Sequence, residues 1–141
     1  MPKVIKKNTT LIKKPVVVTQ PQFKLVTFKA KNLLMSPRKL RLLANEVKKH
    51  SPLESLVKLK LSPTKAARIL TRCVANVISD AKNNFHLDPE SLSFKTFLVN
   101  EGQKIKRMDK SHGSRFNRGI IFKRRSLVNI TVVGQPGGPK N

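Results

Sequence analysis

The sequence lacks several residue types that mark common protein classes. It has no tryptophan and no tyrosine, one cysteine, and only 7 acidic residues among 141. A single cysteine, Cys73, excludes an intramolecular disulfide and a cysteine-rich zinc site, and it is compatible with a reducing compartment. The missing Trp and Tyr remove the usual platforms for stacking unpaired bases, and we expect most of the seven phenylalanines to lie in the core.

Long apolar runs are missing too. A transmembrane helix needs about 20 consecutive apolar residues, and a secretory signal needs a run of about 7 to 15 near the N-terminus. Neither pattern is found, so we expect no membrane span and no secretion. The N-terminal segment is rich in lysine, whereas organelle transit peptides favour arginine and serine, but import into an organelle stays open as an alternative.

The charged residues of the chain are predominantly basic. Thirty Lys and Arg against 7 Asp and Glu give a formal charge of +23. Repulsion on this scale opposes a compact isolated state unless a polyanion neutralises it, and nucleic acid is the leading candidate because its phosphates release counterions when Lys and Arg bind. An anionic membrane surface is the weaker alternative, since no Trp-edged amphipathic basic helix is present.

The acidic residues are unevenly placed. None precedes Glu46, and six of the seven lie between Glu46 and Glu101. This distribution predicts a folded body in the middle of the chain with basic ends. We expect a flexible basic tail over residues 1–22, one domain over residues 23–134, and a flexible tail over residues 135–141, where glycine and proline recur.

Three Ser-Pro pairs predict the starts of three helices. Serine can accept a hydrogen bond at the N-cap, and proline loses nothing at the first helical position. The pairs are Ser36-Pro37, Ser51-Pro52 and Ser62-Pro63. Glu54 would complete a capping box with Ser51. The third helix has the longest apolar stripe, which includes Cys73. We expect Asn83-Asn84, then Leu87-Asp88-Pro89, to close it and to turn the chain into the strand that leads to the arm.

The most informative segment, residues 103–126, is called the arm below. It carries nine basic residues and one acid. The flanking runs, residues 94–99 and 127–133, have the β-branched and aromatic character of strands that pair, and turn-forming residues surround Gly113. We therefore predict a hairpin whose tip lies near Gly113. Legs of about ten residues would reach on the order of 30 to 40 Å, too far for a small domain to cover, so the arm needs an outside polyanion. A disordered basic loop is the alternative.

No arrangement of residues indicates catalysis. The three histidines are far apart in sequence, and no glycine-rich phosphate loop follows a strand. Asp80, Glu101 and Asp109 are scattered carboxylates, each close in sequence to Lys or Arg. We expect neither an enzyme nor a cofactor. The alternatives left open are a protein that binds duplex DNA through the same basic surface and an enzyme that acts on RNA.

Four blocks of sequence resemble a known family in order and spacing. Residues 35–44 (MSPRKLRLLA), 61–67 (LSPTKAA), 76–84 and 99–107 (VNEGQKIKR) are similar to the bacterial-type ribosomal protein 22 family of the large subunit. The match runs from about Phe28 to Val133. The resemblance implies an α+β fold, three helices on a three-stranded antiparallel sheet with a long protruding β-hairpin arm. It also implies a structural role in the ribosome.

The resemblance further implies that the protein binds and bridges large-subunit ribosomal RNA and supports subunit assembly. The arm would line the polypeptide exit tunnel beside ribosomal protein 4 and would meet the nascent polypeptide. The protein would be cytoplasmic, or organellar if its ribosome is. The RNA-binding residues predicted from charge and from the family's motifs are Arg38, Lys39, Arg41 and Lys48 in the first helix and Lys104, Lys106, Arg107, Lys110, Arg115, Arg118, Lys123, Arg124 and Arg125 in the arm.

Two departures from the family pattern lie in or near the arm. The family continues from its Lys-Arg pair into a proline-containing, arginine-rich run, whereas residues 108–115 read MDKSHGSR without proline. Asn129 also stands where the family has a histidine. The contacts of the arm's tip are therefore not carried over from the family.

Overall fold

An antiparallel sheet of three strands, with three helices against one face, is the framework of the protein. The computed structural model describes residues 23–109 and 119–137. The strands are β1 (Lys24–Leu33), β2 (Ser93–Met108) and β3 (Ile120–Gly134), in the spatial order β1-β3-β2. The helices are α1 (Pro37–Val47), α2 (Pro52–Leu61) and α3 (Lys65–Phe85), and a 3₁₀ turn at Pro89–Ser91 leads into β2. The predicted α+β class is confirmed.

The first two helices begin where the Ser-Pro pairs predict. Ser51 Oγ accepts a hydrogen bond from the Glu54 backbone N–H at 3.3 Å, and Pro52 is the first helical residue. The reciprocal bond of the predicted capping box is not formed among the described residues, and the Glu54 carboxylate lies 4.0 Å from His50 Nδ1. Ser36 has the extended backbone of an N-cap, but its side chain makes no capping bond.

The third helix begins and ends at different residues from those predicted. Thr64 is its N-cap, with Oγ1 accepting from the Ala67 N–H at 3.2 Å, while Ser62 follows the last residue of α2. Helix α3 runs on through Asn83 and Asn84, and His86 ends it in the left-handed conformation (φ 52°). The prediction assigned capping to Ser62 and the two asparagines because they are the strongest general signals, but threonine and histidine fill the same roles here.

The core lies between the helices and one face of the sheet. Helix α3 packs on β1, α1 packs on β2, and α2 contacts α3. Alternate residues of β3 point into this layer and are buried, including Val128, Ile130 and Val132. From α3, Leu70, Val74 and Val77 are among the buried residues that meet them. Cys73 is buried in the same helix, as predicted.

Strands β2 and β3 continue into the arm, with one bulge between Glu101 and Lys104. The last pair between β1 and β3 is Leu33 with Ser126, whereas β2 and β3 stay paired as far as Met108 with Ile120. Both strands are therefore longer than the runs predicted from sequence. The nine residues from 101 to 109 span roughly 25 Å at about 3.3 Å per residue. The predicted tip near Gly113 lies outside the described residues, so a closed hairpin stays a prediction.

The described chain continues for three residues beyond β3. The Gln135 N–H donates to Ser91 Oγ at 3.1 Å, and the Gly137 N–H donates to the His86 carbonyl at 3.0 Å. Residues 135–137 are thus tied to the connection between α3 and β2. The predicted N-terminal tail (residues 1–22) and residues 138–141 of the predicted C-terminal tail (135–141) lie outside the described residues. The domain limits at 22 and 134 stay predictions.

Candidate nucleic-acid interface

Both faces of the paired arm strands carry cations. Residues opposite each other in an antiparallel pair point to the same face, and alternate residues along a strand point to opposite faces. The pairs Lys104 with Arg124 and Lys106 with Phe122 therefore share one face. The pairs Ile105 with Lys123 and Arg107 with Ile121 share the other. A partner on only one side would leave half of these charges unmatched.

Two like charges face each other directly in this ladder. Lys104 lies opposite Arg124, a placement that destabilises a strand pair unless an anion offsets it. Lys104 Nζ is 3.4 Å from Glu101 Oε2, but both side chains are more than half exposed, so this ion pair contributes little. The described part of the arm therefore lacks enough internal negative charge to neutralise its cations.

Apolar side chains are exposed between these cations. Met108 is 56% exposed, Ile120 63%, Ile121 46% and Phe122 48%. Monomeric proteins seldom leave such a group of large apolar side chains in water unless a partner covers it. The alternation of cations with apolar groups suits a partner that offers phosphates and flat base or sugar surfaces.

The predicted basic residues of α1 are exposed, and one of them also has a structural contact. Arg38 and Lys39 are exposed on the helix surface, and Lys48, the C-cap residue that follows α1, is exposed too. Arg41 is exposed as well, yet its Nε donates a 3.0 Å hydrogen bond to the Val99 carbonyl on the edge strand β2. Arg41 therefore fastens α1 to the sheet and presents only part of its guanidinium to a ligand.

A basic groove that the prediction missed runs between β1, α3 and the base of the arm. One cavity of about 440 Å³ lies between β1 and α3, with Lys65 and Arg72 at its edge. A second cavity, also about 440 Å³, shares Lys65 and Leu34 with the first and is lined by Lys123, Arg124 and Arg125. Lys65 and Arg72 are exposed at positions i and i+7 of α3, and that spacing is the sequence signal that could have identified them.

These cations are free of carboxylate partners within the described residues. The ion pairs found there involve Glu46, Glu54 and Glu101. None of the cations that line the groove lies within 4.0 Å of an acid in that set. The groove is therefore a surface with positive charge available for an external anion.

The phenylalanines are only partly in the core. Among the six that the structure describes, Phe97 is buried, and Phe28 and Phe94 are partly buried against the core. Phe23, Phe85 and Phe122 are exposed. The expectation that most phenylalanines are core residues is wrong for these three. Alternation in a strand identifies two faces but does not say which face is covered.

Three of the predicted binding residues, Lys110, Arg115 and Arg118, lie outside the described residues. Within residues 23–109 and 119–137, no group of three His, Cys, Asp or Glu side chains could hold a metal ion. In the same part of the chain, no helix is long and apolar enough to cross a membrane. Burial raises the pKa of the Cys73 thiol above its ordinary value, which keeps the thiol protonated at neutral pH.

Comparison with known proteins matches most of this fold to one family. The family described as ribosomal protein L22p/L17e matches residues 28–133, which is 106 of 141 residues. The match begins within β1, ends within β3, and includes both cavities of the groove and both described segments of the arm.

Several curated proteins are similar over the same region. The large ribosomal subunit protein uL22 of Petrotoga mobilis is 41% identical over 103 residues, covering 72% of this chain and 67% of the relative. The uL22 of a Thermotoga species is 36% identical, covering 73% and 64%. That of Fusobacterium nucleatum is 40% identical, covering 70% and 85%. The chain thus spans about two thirds of the length of the first two relatives.

Proposed function

The chain belongs to the ribosomal protein L22p/L17e family, and on that premise we propose that it is a structural, non-enzymatic constituent of the large ribosomal subunit that binds ribosomal RNA. The observation that carries the proposal is the arm, whose paired strands bear cations on both faces with exposed apolar side chains between them. A two-sided surface of this kind fits a partner that surrounds it. Folded RNA, with phosphates on several sides of a crevice, is such a partner.

We place the predicted residues in two groups. Arg38, Lys39 and Lys48 would hold RNA at the surface of the body, and Arg41 would do so with the part of its guanidinium that Val99 leaves free. The arm would supply Lys104, Lys106, Arg107, Lys123, Arg124 and Arg125, together with Lys110, Arg115 and Arg118 outside the described residues. Phosphate contacts give affinity and position, while the length and shape of the arm select the RNA site.

The family supports a finer placement, which we also propose. The arm would run inward through ribosomal RNA, bridge RNA segments during assembly, and line the polypeptide exit tunnel near ribosomal protein 4. The nascent polypeptide would pass its tip. Exposed Met108, Ile120 and Ile121 are the described side chains nearest to the end of the paired strands.

Binding to duplex DNA is a less suitable function for this geometry. A DNA duplex presents phosphates along a convex cylinder, and one face of a ribbon or helix usually enters a groove. Only the cations on one face of the ribbon would then contact phosphates. A crevice between RNA helices contacts both faces.

The test is the salt dependence of binding to a large-subunit ribosomal RNA transcript. We expect Lys106→Ala combined with Arg107→Ala to weaken binding and to reduce the slope of log K against log salt by about 1.5, at roughly 0.7 to 0.9 per lost phosphate contact. Filter binding at four or more salt concentrations measures this slope.

The matched control is Lys49→Ala combined with Lys60→Ala. It removes the same net charge from two exposed positions outside the arm, one of which, Lys49, already pairs with Glu46 at 3.1 Å. We expect its slope to change by well under half as much. Equal slopes for the two double variants, or equal affinity of the wild-type protein for the transcript and for random duplex DNA, would contradict RNA binding through the arm.

A further inference from the structure

The groove beside α3 contains a pocket with an apolar floor and a polar, basic edge. Phe28, Ala30, Leu33, Ile69 and Cys73 form the floor, between the end of β1 and α3. The edge is polar or charged and comprises Asn32, Lys65, Arg72 and Asn76. The volume of about 440 Å³ falls in the range of roughly 300 to 1,000 Å³ that is typical of sites for small ligands.

An irregularity in β1 accounts for the pocket. Between Ala30 and Leu33, β1 advances three residues while β3 advances two, from Val128 to Ser126. Asn32 takes up the extra residue in the left-handed conformation (φ 59°), which asparagine tolerates better than most residues. The bulge interrupts the regular pairing of β1 where α3 begins to pass over it. Four of the floor residues, Phe28, Ala30, Leu33 and Ile69, stay only partly covered, whereas Cys73 is buried.

The pocket opens onto a continuous line of cations. Lys65 and Leu34 line both this pocket and the adjoining cavity, whose other side is the base of the arm at Phe122 and Arg125. A ligand in the pocket would therefore extend along Lys65 towards Lys123 and Arg124. This path determines the chemistry of the ligand. The apolar floor suits one flat group, and the cations suit anionic groups attached to it.

We propose that the pocket binds a single unpaired nucleobase of the ribosomal RNA, with the adjoining phosphates held by Arg72, Lys65 and the base of the arm. The base lies on Phe28 and Ile69, and Asn76 and Asn32 face its polar edge. Asparagine offers both a donor and an acceptor, which a base edge requires. This site rests on the RNA-binding function proposed above and adds a base-specific contact to a surface otherwise matched to phosphates.

The first test is ultraviolet cross-linking of the full chain to a large-subunit ribosomal RNA transcript, followed by nuclease and trypsin digestion and mass spectrometry. Cross-linking joins a base to a side chain in direct contact, and Phe28 and Ile69 are partly exposed side chains of the floor. Nucleotide adducts are expected on the peptide from Leu25 to Lys29 and on that from Ile69 to Arg72. Phe28→Leu should remove the adduct from its peptide and leave the other.

The second test separates base binding from charge. Ala30→Leu fills the pocket without changing any charge, and we expect it to weaken RNA binding about tenfold, as loss of one stacked base does, with the salt slope unchanged. Thr27→Leu is the control; it adds one heavy atom at an exposed position on the opposite face of β1, gives up only the 3.5 Å contact with Thr131 Oγ1, and should leave affinity unchanged. Thermal unfolding of both variants checks that the fold is retained.

The outcomes are distinguishable from failure of RNA binding itself. Adducts confined to α1 and the arm, together with wild-type affinity for Ala30→Leu, would overturn the base site and leave the proposed function intact. A salt slope that differs between Ala30→Leu and the wild-type protein would mean that the lost contact is ionic, and this result would also overturn the base site. If the wild-type protein does not bind the transcript, the proposed function is wrong, and this inference is wrong with it.

Discussion

Single side chains in this protein serve the fold and the interface together. Arg41 is exposed on α1, yet its Nε donates to the Val99 carbonyl at 3.0 Å, so its replacement would affect both helix docking and ligand binding. Cys73 is packed in the core and also lines the floor of the pocket beside α3. Asn32 absorbs a bulge and stands at the pocket edge. Variants at these positions need a stability measurement beside every binding measurement.

The buried thiol of Cys73 makes stability depend on pH in the alkaline range. Burial raises its pKa in the folded protein, whereas the unfolded chain has the ordinary value of about 8.5. Below that value both states hold the proton and the thiol adds no pH dependence. Above it the unfolded state loses the proton first, so stability falls by up to about 1.4 kcal/mol per pH unit until the folded pKa is reached.

Urea unfolding from pH 7 to pH 10 measures this effect. The wild-type protein should lose more free energy of unfolding above about pH 8.5 than Cys73→Ala does. The comparison with the variant removes every contribution that the two proteins share. Parallel curves for the two proteins would show that the thiol ionises equally easily in the folded and unfolded states.

At the scale of elements, the point where the arm leaves the sheet is the decisive feature. Between Glu101 and Lys104, β2 advances three residues while β3 advances two. Gly102 lies in this bulge, and a Cβ there would sit 3.0 Å from the Arg125 carbonyl carbon and 3.2 Å from the Ser126 nitrogen. Contacts this short are rare for a Cβ, so a larger residue at position 102 would push the facing backbone of β3 away.

We therefore expect Gly102→Ala to lower the free energy of unfolding by about 1 to 3 kcal/mol, the cost of forcing atoms into a filled space. It should also speed amide hydrogen exchange in the strands next to the bulge. Gly119→Ala is the matched control, because a Cβ at that position has only an ordinary 3.8 Å contact with Asp109. Its effect should stay within about 0.5 kcal/mol. Equal effects of the two substitutions would show that the close approach at Gly102 carries no energy.

At the scale of the whole molecule, charge governs the free protein. A formal +23 on 141 residues opposes compaction through self-repulsion. Added salt screens this repulsion, and the screening length falls to about 8 Å at 0.15 M ionic strength. The stability of the isolated protein therefore depends on ionic strength.

We expect the thermal midpoint of the RNA-free protein to rise by several degrees between 10 mM and 300 mM sodium chloride, most steeply below about 0.15 M. Differential scanning calorimetry measures the midpoint. Potassium chloride at equal ionic strength is the control, since screening by a monovalent salt depends on ionic strength and should give the same rise. A midpoint that is flat in salt would mean that the cations are too far apart to repel one another appreciably.

Much of the fold and part of the interface follow from local sequence. Serine and proline at helix starts, a 3.6-residue apolar stripe and alternating strands depend on a few neighbouring residues, so Pro37, Pro52 and the stripe of α3 are found where the pattern places them. The charge of the arm can likewise be counted directly from the sequence. Capping by Thr64 and His86 was missed because several residue types fill these positions and packing selects among them.

The sequence by itself determined that this protein has a basic arm between two paired strands and an α+β body, because charge density and periodicity are local properties of the chain. Only the tertiary structure decided which cations line the same groove. Lys65 and Arg72 on α3 line one groove with Lys123 to Arg125 on β3, some fifty residues away in the chain. The same packing leaves Phe122 exposed and ties Arg41 to Val99. Contacts between distant segments depend on how a helix crosses a sheet and where a strand bulges, and neither is encoded in the spacing of neighbouring residues.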